Sequence, residues 1–225
     1  MDKFAIIVAG GTGNRMNSPL PKQFLLIFGK PVLMHTIQAF HDYDPELRII
    51  IALHPGLYNQ WESLCYDHSF SIPHVLSPGG LKRFDSVKNA LSFVTADGLV
   101  AVHDGVRPLL SQGLISRAYD HAAIYGNAIP VTHVTDSVRS LEDRSNKPID
   151  RSTLRLIQTP QVFKAGPLLK SYEQAYRESF TDDASVFEAV GHAINLIPGE
   201  PYNIKITYPE DLLIAESLMK FKQGS

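Results

Sequence analysis

The stretch Phe4-Ala-Ile-Ile-Val-Ala-Gly-Gly-Thr-Gly-Asn-Arg-Met16 joins a continuous apolar run to a loop with glycines at positions 10, 11 and 13. An apolar run without polar alternation predicts a strand buried on both faces, the position of a central strand in a parallel sheet. Glycines directly after such a strand let backbone N–H groups approach an anion closely. Two familiar phosphate-binding templates do not fit. A dinucleotide fingerprint places its third glycine where Met16 stands and closes its second strand with an acid, whereas the second apolar run here ends in Leu53-His-Pro55. A P-loop requires Gly-Lys-Ser/Thr, and Gly29-Lys30 is followed by Pro31. Two readings of the loop stay open: a plain turn with Arg15 and Lys22 solvated, or an anion cradle that uses both cations.

Similar apolar runs recur outward from this stretch, at Arg48 to Leu53, Gly98 to Val102 and Asn127 to Val131. Between them lie segments of helical periodicity, roughly Val32 to Tyr43, Gly56 to His68, Phe84 to Val94 and Leu114 to Tyr125. Strand alternating with helix predicts an α/β fold with a mostly parallel, doubly wound sheet, whose ligands sit beyond the carboxyl ends of the strands. From Thr132 to Arg155 β-branched residues alternate with charges around a turn-like Glu142 to Pro148, which predicts two extended strands forming a β-arm within a single domain spanning 1–225. Helical segments are expected near Pro167 to Glu178 and Ala184 to Val190, strands at Ile194 to Ile197 and Asn203 to Thr207, and a last helix from Pro209 to about Phe221.

Composition narrows the partners. With 225 residues, of which 44% are hydrophobic, the chain can bury a sizeable core. Its net charge of -2 gives no general attraction to nucleic acid or to an anionic membrane, so any anion site is local. One cysteine, Cys65, excludes an internal disulfide and a cysteine-based zinc cluster, and the first apolar run is too short for a leader or a membrane span. The expectation is a cytoplasmic protein.

Other clusters carry both a bland and a functional reading. Gly79-Gly-Leu-Lys-Arg-Phe-Asp-Ser86 is a second glycine turn entering a helix. Val102-His-Asp-Gly-Val-Arg-Pro108 puts a carboxylate just past a buried strand, where Asp104 is either a loop cap or a hard oxygen ligand for Mg²⁺ carried by a triphosphate. Thr181-Asp-Asp183 reads first as a helix N-cap. In Asn203-Ile-Lys-Ile-Thr207 a period of two puts Ile204 and Ile206 on one face, with Asn203, Lys205 and Thr207 on the other.

Taken together and in order, AGGTGNRM, LPKQF, GGLKRFDSV, VHDGVRP, DSVR, IDR, QTPQVF, TDDAS and NIKITYPEDL resemble the 2-C-methyl-D-erythritol 4-phosphate cytidylyltransferases of the non-mevalonate isoprenoid pathway, over nearly the whole chain. The resemblance implies a single Rossmann-like nucleotidyltransferase domain whose β-arm, 132–155, joins two subunits in a homodimer. It implies CTP and a polyol phosphate as substrates, with Mg²⁺ or another divalent cation as cofactor. Ala9, Gly10, Gly11 and Arg15 would cradle CTP, with Lys22 on its phosphates, and Gly80, Arg83 and Ser86 would surround the cytosine and ribose. Asp104 would face metal and substrate. Arg151, reaching from the partner's arm, and Lys205 would hold the polyol phosphate, with Ser137 and Thr181 as further contacts.

The chemistry implied needs these residue types. An ionised phosphate oxygen attacks the α-phosphorus of CTP and pyrophosphate leaves, so no general base is required; His103 accordingly reads as a packed residue. Charge must instead be stabilised by Arg15, Lys22, Mg²⁺ and preorganised N–H groups. Two positions depart from the commonest family pattern. Ser137 replaces a threonine while keeping a hydroxyl, and Tyr202 stands where aspartate is frequent. The segment around Tyr202 also resembles ribitol 5-phosphate cytidylyltransferases, so the sequence leaves the polyol open between methylerythritol, favoured by VHDGVRP, QTPQVF and FTDDASV, and ribitol. A non-catalytic nucleotide-binding regulator is the rival of another class.

Overall fold

In a computed structural model, which describes residues 1–11, 20–143 and 145–223 (the side chains of the last two apart), the first strand lies at the centre of the molecule. The elements run β1 (Lys3–Val8), β2 (Leu26–Ile27), β3 (Lys30–Pro31), α1 (Val32–Tyr43), β4 (Arg48–Leu53), α2 (Tyr58–Asp67), β5 (Val75–Pro78), α3 (Arg83–Leu91) and β6 (Leu99–Asp104). They continue through α4 (Gln112–Tyr125), β7 (Asn127–His133), β8 (Val138–Glu142), β9 (Ser145–Ile149), β10 (Arg155–Ile157), β11 (Gln161–Lys164), α5 (Ala165–Ser171), α6 (Asp183–Glu188), β12 (Leu196–Pro198) and α7 (Pro209–Gln223).

Phe4, Ala5, Ile6 and Ile7 are all fully buried, as the unbroken apolar run requires. Successive strand side chains point to opposite faces. Ala5 and Ile7 therefore pack with Leu33, Ile37 and Phe40 of α1, Trp61 of α2 and Ile115 of α4. Phe4 and Ile6 pack with Phe84, Val87 and Leu91 of α3, Leu168 of α5 and Phe187 of α6. One strand thus feeds two helical layers, which is what the doubly wound reading demands.

The main path of the sheet runs β10-β7-β11-β6-β1-β4-β5, with β12 beside β7. β1 is parallel to β4 and β6, and β4 to β5, whereas β11 runs antiparallel between β6 and β7. The chain winds from β1 outward to β4 and β5, then returns to place β6 on the other side of β1. That reversal creates a crevice at the carboxyl ends of β1 and β6, where Val8 and Asp104 are register partners. Gly105 packs tightly there, since a Cβ would lie 3.1 Å from the Val8 carbonyl oxygen and 3.3 Å from the Ala9 Cβ.

Most expectations hold, with four corrections. The arm's two strands form as a separate hairpin of β8 and β9, but Thr132, His133 and Arg155 belong to the main sheet through the β7–β10 pairing. The helix expected to Val94 stops at Leu91, and that expected over Pro167 to Glu178 spans only Ala165–Ser171. Asn203 to Thr207 is no strand: one backbone bond, Ile206 N–H to Val106 oxygen at 2.9 Å, ties it to the turn after β6. The alternation inferred there fails as well, because Asn203 is as buried as Ile206. No helix among the described residues is long and apolar enough to cross a membrane.

Gly98, at the opposite end of β6, tests the packing away from the crevice. A Cβ there would come within 2.7 Å of the buried Phe4 ring and 2.9 Å of the Asp2 carbonyl oxygen. Gly98→Ala is expected to destabilise the fold by about 1–3 kcal/mol, read as a lower urea midpoint with unchanged activity per folded molecule.

Candidate active site

The loops after β1, β5 and β6 and the segment before α7 converge on a cleft of about 300 Å³. Ala9, Gly10, Gly11, Lys22, Gly80, Arg83, Ser86, Asp104 and Lys205 all line it, so the structure gathers nine of the expected residues in one place. A second lobe of about 260 Å³ lies alongside and includes Arg107, Gln158, Thr159 and Thr181. Arg83, Asp104 and Lys205 line both lobes and form the wall between them. Arg15 falls outside the described residues. Ser137 and Arg151 are exposed together at the open end of the arm hairpin, away from its turn, and line neither lobe; the Arg151 guanidinium donates to the Thr135 carbonyl oxygen.

Each wall has a local cause. The buried Gln23 amide donates to the Ala9 oxygen at 2.7 Å and bridges more weakly to that of Gly11, bracing the first glycine loop. Lys22, its neighbour, donates to the Ile206 oxygen at 3.0 Å and ties this loop to the segment before α7. In the second turn the Ser86 hydroxyl accepts from Gly80 N–H at 3.0 Å and donates to the Lys82 oxygen at 3.1 Å, while the Asp85 carboxylate accepts from Lys82 N–H. Glycine is required at position 80, where a Cβ would overlap Asp85 at 2.2 Å.

Asp104 is the electrostatic centre. Its Oδ2 receives Arg107 Nε at 3.0 Å and Lys205 Nζ at 3.1 Å, and its Oδ1 faces Arg83 Nε at 3.9 Å. Burial alone would raise its pKa, but the charges of Arg83, Lys205 and Arg107 outweigh burial and hold the carboxyl well below the usual carboxylate range. Arg83 is in turn gripped bidentately by Asp183, at 2.9 and 2.6 Å, and Asp183 also accepts from the Tyr172 hydroxyl at 2.6 Å. Asp182 is the N-cap of α6, as expected, and its other oxygen accepts from Gln161.

His103 is not a base poised over the cleft. It is fully buried, and its ring stands edge-on to Phe40. The Thr159 hydroxyl accepts from Asp104 N–H at 3.1 Å, and because the Arg107 carbonyl oxygen can only accept, the proton of the neutral ring sits on Nε2 and the hydroxyl donates to His103 Nδ1 at 3.0 Å. That leaves His103 Nε2–H to donate to the Arg107 oxygen at 3.3 Å. Both ring nitrogens are used by a neutral imidazole, and burial lowers its pKa to about 3.

Sequence reasoning gave no role to Gln23, Arg107, Thr159, Asp183 or Asn203. Arg107 binds both Asp104 and the Asn203 carbonyl oxygen, and the Asn203 amide donates to the Thr159 oxygen at 2.8 Å. All five sit inside the motifs quoted above, but nothing in the local pattern separates a brace from a solvated polar residue. Tyr202, whose identity kept the polyol open, is 47% exposed and lines neither lobe.

The family model described as 2-C-methyl-D-erythritol 4-phosphate cytidylyltransferase (IspD) matches residues 4–221. The chain belongs to this family. The enzyme of that name from Bacteroides fragilis is 48% identical over 219 residues, covering 97% of this chain and all of the relative. Its counterpart from Bacteroides thetaiotaomicron is equally similar, at 48% over the same length. Among solved structures, that of the family's enzyme from Thermus thermophilus superposes with a TM-score of 0.79 at 31% identity, covering 98% of this chain and all of the other.

The histidine network makes a pH-dependent prediction. With a folded pKa near 3, against about 6.5 unfolded, His103 takes up its proton in the unfolded chain first. Its contribution to stability is present above about pH 6.5 and is lost as pH falls toward 3. Between pH 6 and 4 the stability of His103→Gln should therefore fall less steeply than that of the wild type, by up to about 1.4 kcal/mol per pH unit. Urea unfolding at each pH checks this, and parallel curves would exclude the neutral buried imidazole.

Proposed function

We propose that the first lobe binds CTP, the second binds 2-C-methyl-D-erythritol 4-phosphate, and the wall they share is where the two phosphates meet. The enzyme is a cytidylyltransferase: it transfers CMP from CTP to the substrate phosphate and releases pyrophosphate, a step of isoprenoid precursor synthesis. The observation that carries the residue assignment is the shared wall of Arg83, Asp104 and Lys205. Family membership answers the two alternatives left by the sequence, ribitol phosphate and a non-catalytic regulator, in favour of this activity.

An oxygen of the substrate phosphate attacks the α-phosphorus, the bond to the bridging oxygen of pyrophosphate breaks, and its electrons leave on pyrophosphate. No proton has to be removed from the nucleophile, which agrees with a His103 whose nitrogens are both engaged. Gly10 and Gly11 offer backbone N–H groups to the triphosphate, Ala9, whose own N–H is bonded to the Ala52 oxygen, lines the cradle beside them, and Lys22 and Arg15 supply positive charge as it shifts to the leaving group. Gly80, Arg83 and Ser86 take the nucleoside end. Lys205 and Thr181 face the polyol phosphate from within the chain.

Mg²⁺ fits the donor set. Asp104 is held ionised, its Oδ2 is committed to two cations, and its Oδ1 has only a distant guanidinium, leaving one hard oxygen for an ion that enters with the triphosphate. When bound, the ion would neutralise charge on the phosphates and pyrophosphate. Asp104 for its part would orient the ion and keep Lys205 directed at the reacting phosphates.

The position of Arg151 and Ser137 outside the lobes supports a homodimer in which the arm of one subunit completes the site of the other. An apolar groove of about 770 Å³ at the base of the arm, with Leu156 and Leu196 half exposed, offers a seat for the second copy. We also infer a cytoplasmic setting, which the single cysteine favours.

Lys22→Ala is expected to lower turnover of CTP and methylerythritol phosphate by about a hundred- to a thousand-fold in a folded protein. Arg151→Ala should be similarly inactive alone. Mixing the two variants and allowing subunits to exchange should restore activity, because the mixed dimer holds one site with Lys22 and Arg151 both intact. Failure to recover any activity on mixing would place Arg151 in its own subunit's site. Ribitol phosphate offered in parallel should be a poor acceptor, and a preference for it would overturn the substrate assignment.

A further inference from the structure

Lys22, Gln23 and Phe24 form a single helical turn, in which Lys22 and Gln23 line the first lobe while the buried Phe24 faces the core. There the Phe24 ring stacks on Trp61 of α2, with centroids 5.9 Å apart and planes within 15° of parallel. Trp61 is the one buried side chain of α2, and no residue of that helix lines either lobe. Phe70 and His74 box the indole in, meeting it edge-on at 6.0 and 5.7 Å. A buried indole N–H needs an acceptor, and His74 Nε2 supplies it at 3.0 Å. The far side of the imidazole sets its tautomer: the Ile72 carbonyl oxygen, 2.7 Å from Nδ1, can only accept, so Nδ1 carries the hydrogen and Nε2 receives the indole's. That bond fixes the tilt of the indole, and the stack passes the tilt to Phe24.

We propose that Trp61, oriented by His74, is a positioning residue for cytidylyl transfer: through Phe24 it sets where Lys22 stands over the phosphates of CTP. This rests on the reading of Lys22 as a cation of the CTP lobe. Val32 N–H donates to the Leu25 oxygen at 2.9 Å and Lys22 Nζ to the Ile206 oxygen at 3.0 Å. Those bonds hold the residue after the turn and the tip of its lysine; the stack holds the body of the turn against the core. Lys22 meets charge that builds on the leaving group, so a shifted turn lowers kcat and kcat/KM together while KM for CTP holds. Misplacement by about an ångström can cost on the order of a hundred-fold in rate.

The test is steady-state release of pyrophosphate, per folded molecule, with Mg²⁺, CTP and methylerythritol phosphate. His74 is half-buried and outside the cleft, so His74→Ala should fold while stranding the indole N–H, and kcat should fall roughly tenfold with KM for CTP within about twofold. His74→Gln, whose amide oxygen can accept in place of Nε2, should restore kcat. Phe24→Leu, which cuts the link from the other side, should lower kcat to a similar degree. In a Lys22→Ala background, adding His74→Ala should cost less than about twofold more, because the lysine it places is gone. Trp61 is the chain's one tryptophan, so its emission reports the bond, and His74→Ala should shift it. A His74→Ala that lowers the urea midpoint but keeps kcat near wild type would overturn the proposal, leaving His74 a merely structural residue. Unshifted emission would do the same, as would an equal loss of kcat in the Lys22→Ala background, which would route the effect through another group. A Lys22→Ala with normal turnover would instead remove the reading of Lys22, and the proposal with it.

Discussion

The structure depends on one buried carboxylate. Asp104 ends a fully buried strand, and an isolated charge there would be costly unless paired. Two of its three partners come from distant parts of the chain, Arg83 from the start of α3 and Lys205 from the segment before α7, while Arg107 lies three residues on in the turn after β6. Keeping Asp104 ionised therefore draws two remote segments onto its own turn at the carboxyl end of the sheet, at its switch point. Breaking a buried pair from one side typically costs about 3–5 kcal/mol, because the remaining charge is stranded. Asp183 extends the arrangement by fixing the other side of Arg83, so that α6 and α3 are held to the same site. Three cations, Arg83, Arg107 and Lys205, thus stand against the carboxylates of Asp104 and Asp183, with Arg83 touching both, and Lys22 adds charge nearby, which leaves the wall positive and suited to phosphates.

The same network explains the chemistry that is missing. A histidine beside a carboxylate at the end of a strand invites a general-base assignment, but Thr159 and the Arg107 carbonyl oxygen occupy both ring nitrogens of His103. Its service is structural: with Thr159 it links β6 to the segment before β11, holding Asp104 N–H and hence the carboxylate in place. A phosphate nucleophile needs nothing more, and catalysis falls to charge and preorganised donors.

Much of this was legible in the sequence, for physical reasons that differ between segments. Phe4 to Val8 has no polar residue and is too short for a buried helix, so it predicts a central strand, and the residues after a central strand at a switch point are ligand-binding in this architecture. Ala9, Gly10, Gly11, Gly80, Ser86 and Asp104 followed from that rule combined with family resemblance, and they meet in one cleft. Asn203 to Thr207 alternates like a strand without being one, because tertiary contacts with Arg107 and Thr159 bury the polar Asn203 and leave Ile204 only partly covered. Gln23 and Asp183 were unreadable for a related reason: each braces a residue remote in sequence or packed from another element, and no local period encodes that. Arg151 and Ser137 stand apart because one chain does not bring the arm to its own cleft.

The most direct measurement is made on Asp104→Asn, with folding confirmed by circular dichroism, by comparing CTP binding in a calorimeter without metal against turnover with metal and methylerythritol phosphate. Removing the negative charge leaves Arg83, Arg107 and Lys205 in place, so affinity for the CTP anion should be kept or increased. Turnover should fall at least about a hundred-fold, as for loss of a preorganised electrostatic group. A variant that retains turnover within tenfold of wild type would contradict the account that this carboxylate organises the site.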